Sequence, residues 1–154
     1  MLRMSKLTDY GTVILTYLAS EPARLHAASE IAAEVRVSLP TVSKVLKTLV
    51  HGGLVASHRG TKGGYTLARP AERMTVAQIL AVLEGPIGLT ECSSNPGRCV
   101  QETSCSVRGN WQRINLAIHK ALEEVTLAEM VRPITPQAVR IAPPKPIRRS
   151  RVAT

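Results

Sequence analysis

From Ser5 to about Ser20 the apolar residues Leu7, Tyr10, Val13, Ile14, Tyr17 and Leu18 recur at spacings of three and four, the period of one helix face. That helix is predicted to stop at Glu21-Pro22, because a residue before proline is pushed out of the helical region. Ser29 stands as the N-cap of a second helix, SEIAAEVR, with Ile31, Ala32 and Val35 turned inward and an end near Val37. Ser38 then caps a third, LPTVSKVLKTLVHGG, whose Leu39 and Pro40 occupy the first turn, where proline's missing N–H is harmless. Val42, Val45, Leu46 and Leu49 form its buried stripe, and Gly52-Gly53 ends it. The period changes to two in LVASHRGTKGGYTLARP, so Leu54 to His58 and Tyr65 to Ala68 read as short strands around a glycine-rich bend.

Helical spacing then returns. Thr75 with Gln78 three residues on forms a capping box, Val76, Ile79, Leu80 and Leu83 make the stripe, and Gly85-Pro86 closes the helix. A long final helix is predicted from about Ser106 to Val131, with Trp111, Ile114, Ile118, Leu122, Val125 and Ala128 along one face. This stripe is too long for a small domain to cover alone; the first helix is expected to take part of it and a second copy of the chain the rest. The fold class is therefore mainly α with a small β-hairpin: a winged helix-turn-helix followed by a long dimerisation helix. Residues 1–84 are the winged domain, 85–107 a loop, 108–131 the dimer helix and 132–154 a basic, proline-rich tail expected to be disordered.

Composition supports this outline. The chain is 44% hydrophobic but only 3% aromatic, without phenylalanine, so aliphatic helices must supply the core. A net charge of +9 points to a polyanionic partner, and the distribution says where it binds. No acidic residue lies between Glu34 and Glu72, whereas Arg36, Lys44, Lys47, Arg59, Lys62 and Arg69 all do. The recognition helix would offer Ser38, Leu39, Pro40, Thr41, Ser43 and Lys44 to base edges of double-stranded DNA and Lys47 to phosphate. The wing would bring His58, Arg59 and Lys62 to a minor groove or the backbone. No Ser/His/Asp grouping or nucleotide loop suggests an enzyme or a small-molecule substrate. No apolar run approaches the about 20 residues of a membrane span, and a cytoplasmic protein is expected.

All three cysteines fall in ECSSNPGRCVQETSC, with six residues between Cys92 and Cys99 and five between Cys99 and Cys105. Structural zinc favours closer pairs, so zinc fits poorly. Iron–sulfur clusters accept more varied thiolate spacing, and metal-free thiol redox chemistry, with Cys99 as the switching thiol, remains open from these residues alone.

The succession of LTDYG, the Ser-capped recognition helix, the wing RGTKGGYTL, the helix TVAQILAVLEG, the three-cysteine loop and a long last helix resembles the IscR and NsrR type of winged-helix iron–sulfur repressors over roughly residues 1–131. The resemblance implies a [2Fe-2S] or [4Fe-4S] cluster on Cys92, Cys99 and Cys105, a homodimer seam on Trp111, Ile114, Ile118, Leu122 and Val125, and operator affinity set by the cluster. IscR-like proteins carry a histidine ligand three residues after the last cysteine, where this chain has Arg108. NsrR-like proteins use an acidic residue of the partner's first helix, and Asp9 stands in the matching TD context. Asp9 is thus the implied fourth ligand; Glu91, Glu102 and His119 are the alternatives. Control of iron–sulfur assembly genes is the first implied role and nitric oxide response the second.

Overall fold

A computed structural model describes residues 4–60, 62–95 and 97–132 of the chain. The expected disordered tail lies outside the described residues. Seven helices and one hairpin follow in the order α1 (Lys6–Ser20), α2 (Ala28–Glu34), α3 (Leu39–His51), β1 (Val55–His58), β2 (Gly64–Leu67), α4 (Val76–Glu84), α5 (Glu91–Ser94), α6 (Arg108–Glu123) and α7 (Leu127–Val131).

The predicted stripes supply most of the core, but the buried face of α1 differs in part from the predicted one: Leu15, outside the predicted stripe, is fully buried, and Val13, inside it, is 42% exposed. Ile14, Leu15 and Leu18 of α1, Ile31 of α2, Val42, Val45, Leu46 and Leu49 of α3, and Ile79 and Leu83 of α4 are buried against one another with Leu54, Val55 and Met74. The strands pair antiparallel, with Val55 opposite Leu67 and Ser57 opposite Tyr65. Their root is broadened by a bridge that periodicity does not reveal: the His26 N–H donates to the Tyr65 carbonyl (3.1 Å) and the Tyr65 N–H to the His26 carbonyl (2.9 Å). His26 itself is fully buried, its ring edge-on to Tyr17 at 5.0 Å and its Nε2 3.2 Å from the Glu21 carbonyl.

Two caps differ from expectation. The second helix starts at Ala28, with Ala27 rather than Ser29 at the cap, because the Ile31 N–H already bonds the Ala27 carbonyl at 3.0 Å. Ser38 does occupy the N-cap position of α3, but its hydroxyl meets the Thr41 hydroxyl at 2.8 Å instead of a backbone N–H. The Thr75–Gln78 capping box of α4 is present as predicted.

The largest departure is at the C-terminal end. The single helix expected to run to Val131 ends at Glu123, and α7 starts anew at Leu127. Between them the chain is extended and pairs with the segment before α4: the Val76 N–H donates to the Val125 carbonyl (2.9 Å) and the Leu127 N–H to the Met74 carbonyl (2.8 Å). Thr126 and Glu129 form a second capping box. Leu127 is fully buried in the winged-domain core, and α7 packs along α1. Val125 and Ala128 therefore leave the stripe, and the covered part of α6 rests mainly on α4 and α5, not on α1 as expected.

One polar strap ties the ends of α1 and α4 together. Glu84 accepts hydrogen bonds from the Ser5 N–H (2.8 Å) and from the hydroxyl of buried Thr8. Hydrogen bonding from Ser5 and Thr8 holds its carboxyl below the usual range. Glu129, held by Thr126, is shifted the same way. A carboxyl depressed in the folded state contributes stability above its unfolded value near 4.5 and loses that contribution as pH falls through the folded value. The unfolding midpoint is thus expected to drop as pH falls below about 4.5. Glu84→Gln should start lower at neutral pH and fall less steeply in the same calorimetric series.

Candidate DNA interface and cysteine loop

A tight turn aims α3. Arg36 takes φ 54°, left-handed for a non-glycine residue, and the turn is closed by the Val37 N–H on the Ala32 carbonyl at 3.1 Å. Holding arginine there costs about 1–2 kcal/mol, which the packed helices on either side impose. With Val42, Val45, Leu46 and Leu49 inward, α3 turns Leu39, Pro40, Lys44, Lys47 and His51 to the surface, Leu39 being 45% exposed. Ser38 is exposed too, and Thr41 and Ser43 are half-buried beside these residues.

In the wing, His58, Arg59 and Lys62 are exposed, and the His58 Nε2 lies 3.1 Å from the Thr66 hydroxyl. The tip has no room for a side chain at Gly63, where a Cβ would lie 2.3 Å from the His58 carbonyl oxygen. Among the described residues, Lys44, Lys47, Arg59 and Lys62 make no ion pair; Arg24, Arg108 and His119 do. The acid-free stretch of sequence thus places exposed basic side chains, unpaired among the described residues, on both α3 and the hairpin.

The cysteine loop is fastened at both ends. Asn115 of α6 accepts from the Leu89 N–H (3.2 Å) and donates to the Ile87 carbonyl (3.3 Å), pinning the entry strand to the helix. On the exit side Glu102 accepts from the Gly97 N–H (2.6 Å) and from Arg108 (2.7 Å), bracing the residues between the second and third cysteines. Arg108, at the position where a histidine would mark an IscR-like ligand, is thus a clamp, and Glu102 is engaged with it.

Cys92 sits on α5, 9% exposed, with its sulfur 3.2 Å from the Thr90 hydroxyl. Its burial was not legible in the sequence. Cys99 and Cys105 are half-buried. Cys92 and His119 line one open cavity of about 510 Å³ with Ser93, Gln112, Asn115 and Leu116. His119 also meets Glu123 at 3.3 Å. Asp9 and Glu91 are exposed on the first turns of α1 and α5. Among the described residues no three Cys, His, Asp or Glu side chains converge on one point. The donor chemistry of the loop, three soft sulfurs on one short and mostly irregular segment, nonetheless fits a thiolate-held cluster, with a fourth donor required from elsewhere.

Above the loop, α6 has no buried residue. Ile118 and Leu122 are half-buried along an apolar groove shared with Leu80, Pro86, Ile87 and Leu89. Trp111 and Ile114, 41% and 46% exposed, continue the stripe into solvent. Val125 lies past the end of the helix.

A helix-turn-helix with a basic recognition helix and a glycine-tipped wing defines a winged-helix DNA-binding protein. Residues 4–133 match the Rrf2 family, described as iron-dependent transcriptional regulators. The protein aau3 of Rhizobium meliloti is 30% identical over 132 residues, covering 85% of this chain and 86% of that one. CymR, the global cysteine regulator of B. subtilis, has 30% identity and a TM-score of 0.69, covering 85% of this chain and 97% of its own. IscR of T. potens has 27% identity and a TM-score of 0.65, covering 84% and 86%. The chain belongs to the Rrf2 family and is a DNA-binding transcriptional regulator, not an enzyme. The expected mainly α winged helix-turn-helix with a small hairpin is the observed fold, and no described helix is long and apolar enough to cross a membrane.

Proposed function

We propose that this regulator is a homodimeric repressor whose grip on its operator is set by an iron–sulfur cluster held by Cys92, Cys99 and Cys105, with Asp9 of the second protomer as fourth donor. The observation that carries the reading is the concentration of every cysteine in one short segment, fastened by Asn115 to a helix whose apolar stripe the other described residues leave largely open. A cluster there would supply a redox-labile group. This chain's own residues do the rest: Asn115 transmits the loop's position to α6, and α6 pairing through Trp111, Ile114, Ile118 and Leu122 sets the spacing of two α3 helices, about 34 Å in proteins of this architecture. Leu39, Pro40, Thr41, Ser43 and Lys44 read bases beside Ser38, Lys47 holds phosphate, and Arg59 and Lys62 with His58 hold the adjacent groove. Genes of iron–sulfur assembly are the proposed targets, with nitric oxide as the alternative signal.

A metal-free thiol switch is the second reading, favoured by free thiols at Cys99 and Cys105 that are only half-buried and by the 30% identity to a cysteine regulator. Anaerobic reconstitution with iron and sulfide separates the two. The wild type should gain visible absorption that Cys99→Ala lacks, with operator affinity differing between the two forms. A colourless protein that still answers thiol oxidation would establish the second reading and end the first.

A further inference from the structure

The cleft between the C-terminal half of α3 and the root of the wing holds polar groups that nothing among the described residues uses. Lys47 and His51 lie one turn apart on the exposed face of α3 that also presents Ser43 and Lys44. Across from them, Ser57 and Tyr65 are register partners in the hairpin. Side chains alternate along a strand, so both share the side of Val55 and Leu67, which faces the core and α3. Lys47, His51, Ser57 and Tyr65 line a cavity of about 280 Å³ floored by Val50.

Three properties define what fits there. The cleft offers an ammonium, an imidazole and two hydroxyls but no carboxylate, in a stretch free of acids from residue 35 to residue 71. Among the described residues, none of these four side chains has an internal hydrogen-bond or ion-pair partner, whereas the neighbouring His58 is paired with Thr66 and Thr48 with the Lys44 carbonyl. The cleft also bridges the two elements that approach DNA while lying away from the N-terminal end of α3, where bases are read. A site with a lysine ammonium, three further groups able to donate and no carboxylate suits, in that place, a phosphodiester oxygen pair. The negative end of the α3 dipole opposes an anion here, which is why a lysine one turn back is needed.

We propose that Lys47, Ser57 and Tyr65, with His51 at the rim, seat one backbone phosphate of each DNA half-site and so fix the angle between recognition helix and wing. The proposal rests on duplex DNA binding through α3 and the hairpin. It assigns His51, Ser57 and Tyr65 a binding role absent from their periodicity and gives the Lys47 phosphate contact a definite receptor.

The test uses the full chain and a duplex that the wild type selects from a random-sequence pool, remade with single neutral methylphosphonate linkages scanned across a half-site. One linkage is expected to weaken wild-type binding roughly tenfold yet leave Lys47→Ala binding unchanged. Tyr65→Phe, which keeps the ring in place, should weaken binding to the native duplex but not to that one neutralised duplex. Lys47→Ala should also lower the salt slope by about one. If every linkage weakens wild type and Lys47→Ala alike, the phosphate seat is wrong although DNA reading stands. If no duplex survives selection, DNA reading through this face fails and the seat with it.

Discussion

Gly64→Ala is expected to lower the unfolding free energy by about 3 kcal/mol and to abolish operator binding, although it adds only one methyl group. An alanine Cβ at residue 64 would lie 2.8 Å from the His26 carbonyl oxygen and 3.1 Å from both its carbonyl carbon and its nitrogen. The obstacle is backbone, so no rotamer change relieves it. Nor can the obstacle retreat, because residues 26 and 65 exchange two hydrogen bonds and the His26 ring is fully buried against Tyr17. The methyl group must break the bridge at the wing's root and swing Arg59 and Lys62 away from the recognition helix. Gly109→Ala is the matched control: its Cβ would meet nothing within 4 Å, and in a helix it should stabilise by about 0.5–1 kcal/mol. Urea unfolding of both variants checks the pair; a Gly64→Ala protein within about 0.5 kcal/mol of wild type would refute the steric account.

That bridge marks the boundary of what the sequence discloses. Residues whose partners lie within one element announced themselves: the stripes of α3 and α4, the Thr75–Gln78 box and the two strands of the hairpin appear where periodicity put them, while on α1 Leu15 is buried and Val13 exposed against the predicted stripe. Contacts between distant segments did not. His26 sits in a loop with no apolar rhythm, and its pairing with Tyr65 is set by the packing of α1 against the hairpin. Cys92 is buried because α5 lies against α6, a tertiary fact that a cysteine-rich loop conceals. Arg108 reads as a missing ligand in sequence and is a clamp on Glu102 in the fold. Most of the candidate DNA-reading residues are exposed, as the outer faces predicted for α3 and the wing require, with Thr41 and Ser43 half-buried. Among the described residues the three cysteines do not converge on one point, although sequence places them in one short segment.

The C-terminal stripe shows how far a correct period can mislead, and it sets the second large effect. Spacing alone puts Ile114 and Leu127 on one continuous helix, yet Thr126 and Glu129 cap a new helix and turn Leu127 into the winged core, fully buried. Leu127→Ala should therefore cost about 2–5 kcal/mol of unfolding free energy, independent of protein concentration, because it opens a cavity within a protomer. Ile114, 46% exposed on α6, should behave oppositely. Ile114→Ala should leave protomer stability within about 0.5 kcal/mol but weaken self-association, so its midpoint moves with concentration. Sedimentation and thermal unfolding over a hundredfold range of concentration would separate them. Were both variants to unfold with the same concentration dependence, α7 would belong to the dimer seam after all and the break at Glu124 would carry no division of labour.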